Sequence, residues 1–589
     1  MTSDETAASR VWFFPTSPRS PYKIKPELDL IRQVSHLPWS RTQGQKEFGT
    51  LLANAKTFEG DVSQTDPTFS ARDRTRGPKI LGLVEQVGRG ESATIKITEA
   101  GEKFLSLEED EETAFFLNQI AKVQFPSAQH NSRGFADMDC RPLTIALHIM
   151  LEVGALTKEE FGLFVLPCTR ASESKTLISK LGEFRQEIKS APPGLPRKQL
   201  KDQLINQRVS DIYQADIKSG NTALREGGKN FIATKRQTLM DYADSSFRYL
   251  LATGLFRIDP NGRTFSVLDS KRGLAQDLIS DLGLGSTYKY YQPKKYVQDY
   301  LGAPSEPKIS YFSREAQSER LAKLLDLADL AGESRFRITE EILAEPLGFV
   351  RDNLIQSVAR GQTNKALEEK AKQLVVNRSS ITPDILETFE SIVSRDPMVD
   401  RPLFFEWNTW RAFTMLNDAY GVIGNFRSDT EGNPLSLAPG KQPDIVAEYD
   451  SFWLAIEVTL STGHKQYESE SESINRHVGT LQAKLKQQGD PRPVYGLFIA
   501  PKVNETVLNY LMTCANLKSA IYQGPVRIAP LNLEDFCAMV SKHKDAASTD
   551  SKKLQRALEE IFDEQLITSG DEPAWFEATS RKFRELQLY

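Results

Sequence analysis

Residues 442–460 read QPDIVAEYDSFWLAIEVTL. Two runs of β-type residues, 444–449 and 452–459, flank the polar pair Asp450-Ser451, which predicts a hairpin closed by a two-residue turn. With Tyr449 facing Phe452, counting back along both strands sets Asp444 directly across from Glu457. Opposed residues on one face have Cβ atoms roughly 4.5–5.5 Å apart, and two carboxylates at that spacing repel unless a cation lies between them. An all-oxygen pair favours a hard ion, Mg2+ or its substitute Mn2+, over zinc. One extra turn residue would carry Glu457 to the other face. Acidic pairs are also common across exposed hairpins. Here both acids adjoin apolar segments, Ile445-Val446 and 454–456, where an uncompensated charge is costly.

Outward from this hairpin, the chain after Pro402 alternates short β-type runs with helical ones. FFEWNTWRAFTML (404–416) reads as a helix, with Glu406 between Phe405 and Trp407, an unusual place for a carboxylate that is only solvated. ESESINRHVGTLQAKLKQQ reads as a second helix, on which Glu470 and His477 lie two turns apart on one face. Glu468, Glu470 and Glu472 are too close in sequence to share a face, so at most one or two reach a common centre. VYGLFIAP and VRIAPL read as buried strands. The pattern predicts an α/β domain around a central mixed sheet.

The first half has a different grammar. Residues 83–86 and 94–98 predict a hairpin followed by the helical EAGEKFLSL, and GLFRID, the turn Pro260-Asn261-Gly262 and RTFSVL predict another, followed by SKRGLAQDLISDL. Each outlines a winged-helix-like module. Between them Pro142–Val153 is helical, Gly154 interrupts, and Thr157 with Glu160 forms a capping box, giving a helix-turn-helix candidate. Residues 313–395 read as polar connecting helices, one of them opened by Thr382-Pro383-Asp384.

The 589 residues are 39% hydrophobic and 26% charged, as expected of a globular chain with more than one core. No apolar run approaches the roughly 18–20 residues of a membrane span, and MTSDETAASR has no signal-peptide pattern. Cys140, Cys168, Cys514 and Cys537 include no close pair, which predicts reduced thiols and no CxxC zinc site. The expectation is a cytoplasmic, non-membrane protein. The net charge of -5 divides into +4 over residues 1–300 and -9 over the remainder. Ordinary scatter produces such a split, and so does a basic binding region joined to a carboxylate-bearing catalytic one.

Pro443-Asp444 followed by Glu457-Val458-Thr459 resembles the hairpin of the PD-(D/E)xK nucleases, with Thr459 where those enzymes usually carry lysine. The wider set resembles the AlwI family of type IIS restriction endonucleases and the related nicking-enzyme large subunits: FEW, GKQPDI, EVTLSTG, ESES-x-x-x-RH and LFIAP towards the end, SPRSPYKIKPEL, FSARDR, ITEAGEKFL and QFPSAQH towards the start. The resemblance implies a recognition region with two winged-helix-like modules over 1–305, a helical linker over 306–395 and a PD-(D/E)xK domain over 396–589. It makes Asp444 and Glu457 metal ligands, with the Val458 carbonyl a third, and places Glu406, Glu470 and His477 in the same catalytic centre. His477 is the favoured partner of the attacking water in lysine's absence, with Lys465 as a displaced lysine the other candidate.

Basic and polar residues in the first half suit DNA: Arg72, Arg74, Arg76 and Lys79 within eight residues; Arg19, Lys23 and Lys25 on a proline-rich arm; and Gln124, Ser127 and His130 as donors for base edges. Each is equally an ordinary surface residue. The expected function is a Mg2+-dependent cut in double-stranded DNA a few nucleotides outside an asymmetric site. The second strand would need a transient homodimer or a small second subunit, and the host genome a cognate methyltransferase. The alternative is a non-catalytic DNA-binding regulator whose acidic second half binds a protein partner.

Overall fold

A computed structural model of the chain describes residues 10–588 other than 56–66, 89, 109–110, 128–131, 191–195, 224–229, 261, 289–295, 308–362, 395–397, 399, 417–418, 430, 439–441, 545–548 and 564–569. The chain is mixed α and β and divides into two compact units, one of Met1–Asp259 with Arg263–Gly361, the other of Pro260–Gly262 with Gln362–Tyr589. Among the described residues no helix is long and apolar enough to cross a membrane.

In the first unit, β1 (Val84–Val87) and β2 (Thr94–Ile97) form an antiparallel hairpin, and helix α1 (Glu99–Ser106) follows at once. The Thr98 hydroxyl accepts from Gly101 N–H and caps α1. Helix α2 (Pro142–Val153) starts on a proline and stops at Gly154, whose φ of +77° suits a residue without Cβ. β3 (Leu156–Thr157) comes next, and Thr157 and Glu160 complete the expected capping box. β4 (Phe256–Ile258) pairs with β5 (Thr264–Val267), β5 pairs with β3, and helix α3 (Arg272–Leu282) follows. Both hairpins and their trailing helices thus stand where turn chemistry and strand periodicity put them.

The second unit holds the site. Most of residues 306–395 lies outside the described residues; the part seen is helical over 363–376 and Arg378–Ser394. The latter helix does not open at Thr382-Pro383 as expected. It begins at Arg378, carries Pro383 inside, and turns the Thr382 hydroxyl back to the Arg378 carbonyl. Helix α4 (Arg401–Leu416) leads into β6 (Gly421–Gly424), and a small pair, β7 (Arg427–Ser428) with β8 (Pro434–Ser436), precedes β9 (Ile445–Glu448) and β10 (Trp453–Val458). Helix α5 (His464–Gln487) then crosses to β11 (Val494–Ala500), and β12 (Arg527–Asn532) closes the set.

The five-stranded sheet runs in the order β12-β11-β10-β9-β6. β10 is parallel to β11 and antiparallel to β9. β11 is buried at every residue, which its unbroken VYGLFIA run requires of a central parallel strand. Pro530 is accommodated because β12 is an edge. Helices α4, α5, Glu505–Asn516, Leu533–Lys542 and Glu572–Glu585 pack on the sheet.

Candidate active site

The β9–β10 hairpin has the expected register. Tyr449 N–H donates to the Phe452 carbonyl at 3.0 Å, and Glu448 faces Trp453, Ala447 faces Leu454, and Ile445 faces Ile456. The next residues out are Asp444 and Glu457. Asp444 sits just before β9, where Asn425 N–H donates to its carbonyl and the Asn425 amide to that of Pro443. Its Oδ2 accepts from Val458 N–H at 2.8 Å.

Four carboxylates share this end of the sheet. Burial pushes Asp444 well above the usual carboxylate range, the neighbouring charge of Glu457 and then Glu470 adds to it, and the Val458 N–H opposes it. Glu457 is pushed well up too, by burial first and then by Glu470 and Glu406, with Arg476 opposing. Glu406 on α4 follows for the same reasons, burial and then Asp444; its Oε2 accepts from Ala438 N–H at 2.9 Å, which partly offsets them. Each of the three is raised by another acid of the group, so they act on one another.

Helix α5 supplies the remainder. His477 is buried and its Nδ1 lies 2.9 Å from Glu457 Oε1. With the carboxylate ionised, Nδ1 carries the proton and the imidazole is oriented by Glu457. Thr459, at the position of the absent lysine, donates its hydroxyl to Glu470 Oε1 at 2.9 Å, and the Ser461 and Ser469 hydroxyls reach the same oxygen at 3.3 and 3.2 Å. Of the three closely spaced acids only Glu470 turns to the centre; Glu468 pairs with His464 and Glu472 with Arg476. Lys465 is exposed and belongs to the first turn of α5, not to the loop where the sequence suggested it.

One residue carried no signal in the sequence. Gln466 is fully buried, donates from Nε2 to the carbonyls of Ser461 (2.9 Å) and Lys502 (3.0 Å), and accepts from Asn504 N–H at 2.7 Å. It ties the loop after β10 to the loop after β11. A glutamine in the first turn of a polar helix gives no sequence hint of this.

The donor set fits a hard divalent cation: Asp444 and Glu457 offer carboxylate oxygens beside the Val458 backbone, and their mutual repulsion is what such an ion relieves. Among the described residues no three His, Cys, Asp or Glu side chains converge on one point. Two carboxylates and a backbone carbonyl are a smaller set than that.

In the first unit the DNA candidates divide by exposure. Arg19 is half exposed and faces Asp241 and Asp244 at 3.7 and 3.6 Å; Lys23 is exposed on the turn Pro21–Lys23. Exposed Arg72 donates to the Thr68 carbonyl, and exposed Arg76 pairs with Asp73 at 3.1 Å. Lys25 is part-buried, donating to the Leu107 carbonyl and reaching Glu112 at 3.4 Å. Lys79 donates to Gln86 at 2.9 Å, and burial pushes its ammonium down to about 8. Arg74 is spent on buried Glu27 at 2.6 Å. Gln124 is buried and brackets residues 126 and 287–288, donating to the Pro126 and Tyr288 carbonyls and accepting from the Thr287 and Tyr288 N–H groups. The sequence reading of Gln124 as a base-edge donor is corrected by that use of its whole amide. Ser127 is buried, and His130 lies outside the described residues.

Compared with known proteins, residues 79–539 match the family model described as AlwI restriction endonuclease. A solved structure, the small subunit (R.BspD6I2) of the heterodimeric restriction endonuclease R.BspD6I, is 25% identical over 35% of this chain and 100% of its own, with a TM-score of 0.28. No curated protein matches.

Proposed function

This chain belongs to the AlwI restriction endonuclease family and is a site-specific deoxyribonuclease, and from that premise we propose that it is a type IIS or nicking enzyme. It would bind an asymmetric site through the region before about residue 305 and hydrolyse a phosphodiester some nucleotides away with the PD-(D/E)xK centre of the region after 396. The observation that carries this reading is the buried, mutually repelling carboxylate pair Asp444 and Glu457 across the β9–β10 turn. A binding protein has no use for that repulsion, and nothing favours the regulator reading over it.

In this reading Asp444, Glu457 and the Val458 carbonyl would hold Mg2+, or Mn2+ in its place. The bound ion would supply positive charge at the phosphate and lower the pKa of a nearby water. The chain's own groups do the rest. Val458 N–H fixes the Asp444 carboxylate, Asn425 holds the Pro443 and Asp444 backbone carbonyls beside it, and Ala438 N–H fixes Glu406. His477, held by Glu457, orients the attacking water and accepts its proton as the water oxygen bonds to phosphorus and one bridging P–O bond breaks. Arg19, Lys23, Arg72 and Arg76 are proposed to meet DNA phosphates, with weaker claims for Lys25 and Lys79. The two hairpin-and-helix modules are read as winged-helix-like, and a second copy or a smaller subunit as the route to the second strand.

Asp444→Ala and Glu457→Ala should each abolish plasmid cleavage in Mg2+ while leaving specific duplex binding largely intact by gel shift. Cleavage by either variant at near wild-type rate would show that these carboxylates do not hold the ion.

A further inference from the structure

The four-carboxylate centre has no lysine on β10, because Thr459 occupies that position and gives its hydroxyl to Glu470. A phosphodiester entering such a centre still needs a cation beside its non-bridging oxygens as charge builds there. We propose that Lys502, on the loop after β11, supplies that cation, with Gln466 as the residue that positions it; this deepens the nuclease reading and rests on it.

Three observations converge on Lys502. First, β11 runs parallel to β10, with Val458 beside Ile499 and Thr459 N–H donating to the Ile499 carbonyl at 3.1 Å. Both strands therefore finish at the same end of the sheet, and the chain runs on to Lys502 from β11 beside the point where it runs on to Thr459 from β10. Second, the buried Gln466 amide holds the carbonyls of Lys502 and Ser461 on one nitrogen, and the Ser461 hydroxyl reaches Glu470. The Lys502 backbone is thereby one amide away from a loop that touches the carboxylate centre. Third, the Lys502 side chain is exposed and its ammonium has no partner among the described residues, so its flexible four-carbon stem is available to a ligand.

Lys465 satisfies only the last condition. Gln466, Glu470 and His477 fall on one face of α5, and Lys465 is rotated roughly 100° from that face. Arg476 is already engaged by Glu472 at 3.3 Å. In this arrangement His477 serves the water and Lys502 the phosphate, roles that a single lysine on β10 would otherwise combine.

The test uses the full chain, a supercoiled plasmid that it cleaves, and MgCl2. Lys502→Ala should lower kcat by about 10²–10³-fold with the Kd for that DNA nearly unchanged, Lys502→Arg should recover much of the rate, and Lys465→Ala should cleave normally. Lys502 is exposed, so an unchanged thermal midpoint is expected and checks the fold. Wild-type kcat in Lys502→Ala, or a loss confined to affinity, overturns the assignment. Asp444→Asn run alongside separates the two levels. If it is inactive while Lys502→Ala is normal, only Lys502 is wrong; if it cleaves, the carboxylate centre itself is wrong.

Discussion

Arg74 and Arg76 stand two residues apart and have unlike surroundings. Arg76 is 63% exposed and meets Asp73 at the surface, whereas Arg74 reaches Glu27, whose side chain is 1% exposed. Burial pushes Glu27 up to about 7 even with Arg74 beside it. Removing Arg74 leaves that carboxyl buried without its partner, a loss of about 3–5 kcal/mol, while an exposed pair such as Arg76–Asp73 is worth about 0–1 kcal/mol. Urea denaturation should therefore show Arg74→Ala strongly destabilised and Arg76→Ala close to wild type, with Arg76→Ala instead flattening the salt dependence of DNA binding. Equal stabilities for the two variants would contradict this account. The run Arg72–Lys79 reads in sequence as one cationic stripe, because side-chain direction on the short helices Pro67–Arg74 and Arg76–Ile80 is settled by packing with distant residues such as Glu27.

Local rules worked for most elements specified by their own residues, the start of the helix Arg378–Ser394 excepted. The β9–β10 register followed from a two-residue turn and period-two alternation, and the cap at Thr157 from one hydroxyl and one carboxylate three residues apart. They failed where an element depends on a distant one. Glu406, Glu470 and His477 could be proposed for a common centre, but Gln466 could not, since its partners lie at Ser461, Lys502 and Asn504. The C-terminal segment is a second case. His543, buried on the helix Leu533–Lys542 and its cap, donates from Nδ1 to the Met539 carbonyl at 2.6 Å and accepts at Nε2 from Leu588 N–H at 2.8 Å. Burial, with Arg378 and Lys542 nearby, holds its pKa below 6.5. A depressed histidine pKa contributes stability that is complete above 6.5 and lost as pH falls through the folded value. The buried carboxylates, whose pKa values are raised, change stability in the opposite sense, so the comparison must be with a variant. Between pH 8 and 5.5 the wild-type thermal midpoint should fall further than that of His543→Gln. Parallel curves would remove His543 as the cause.

At the scale of the whole chain, the one carboxylate centre proposed among the described residues would face a duplex with two strands of opposite polarity. The chain divides into two compact units, the first running to Gly361, and its net charge is +4 over residues 1–300 and -9 over the remainder; that one region binds and another cuts is the proposal. On the proposed assignment a single Asp444–Glu457 pair would hydrolyse one phosphodiester in one orientation, so a protein bound once to its site should first open one strand. The second cut then needs a second copy, another subunit, or release and rebinding the other way round. With protein limiting, supercoiled plasmid should pass to open circle first, and any linear product should appear later with a steeper than first-order dependence on protein concentration. Linear product arising without open circle, at a rate simply proportional to protein, would require two cutting centres in one chain and would count against the assignment of one catalytic hairpin to one molecule.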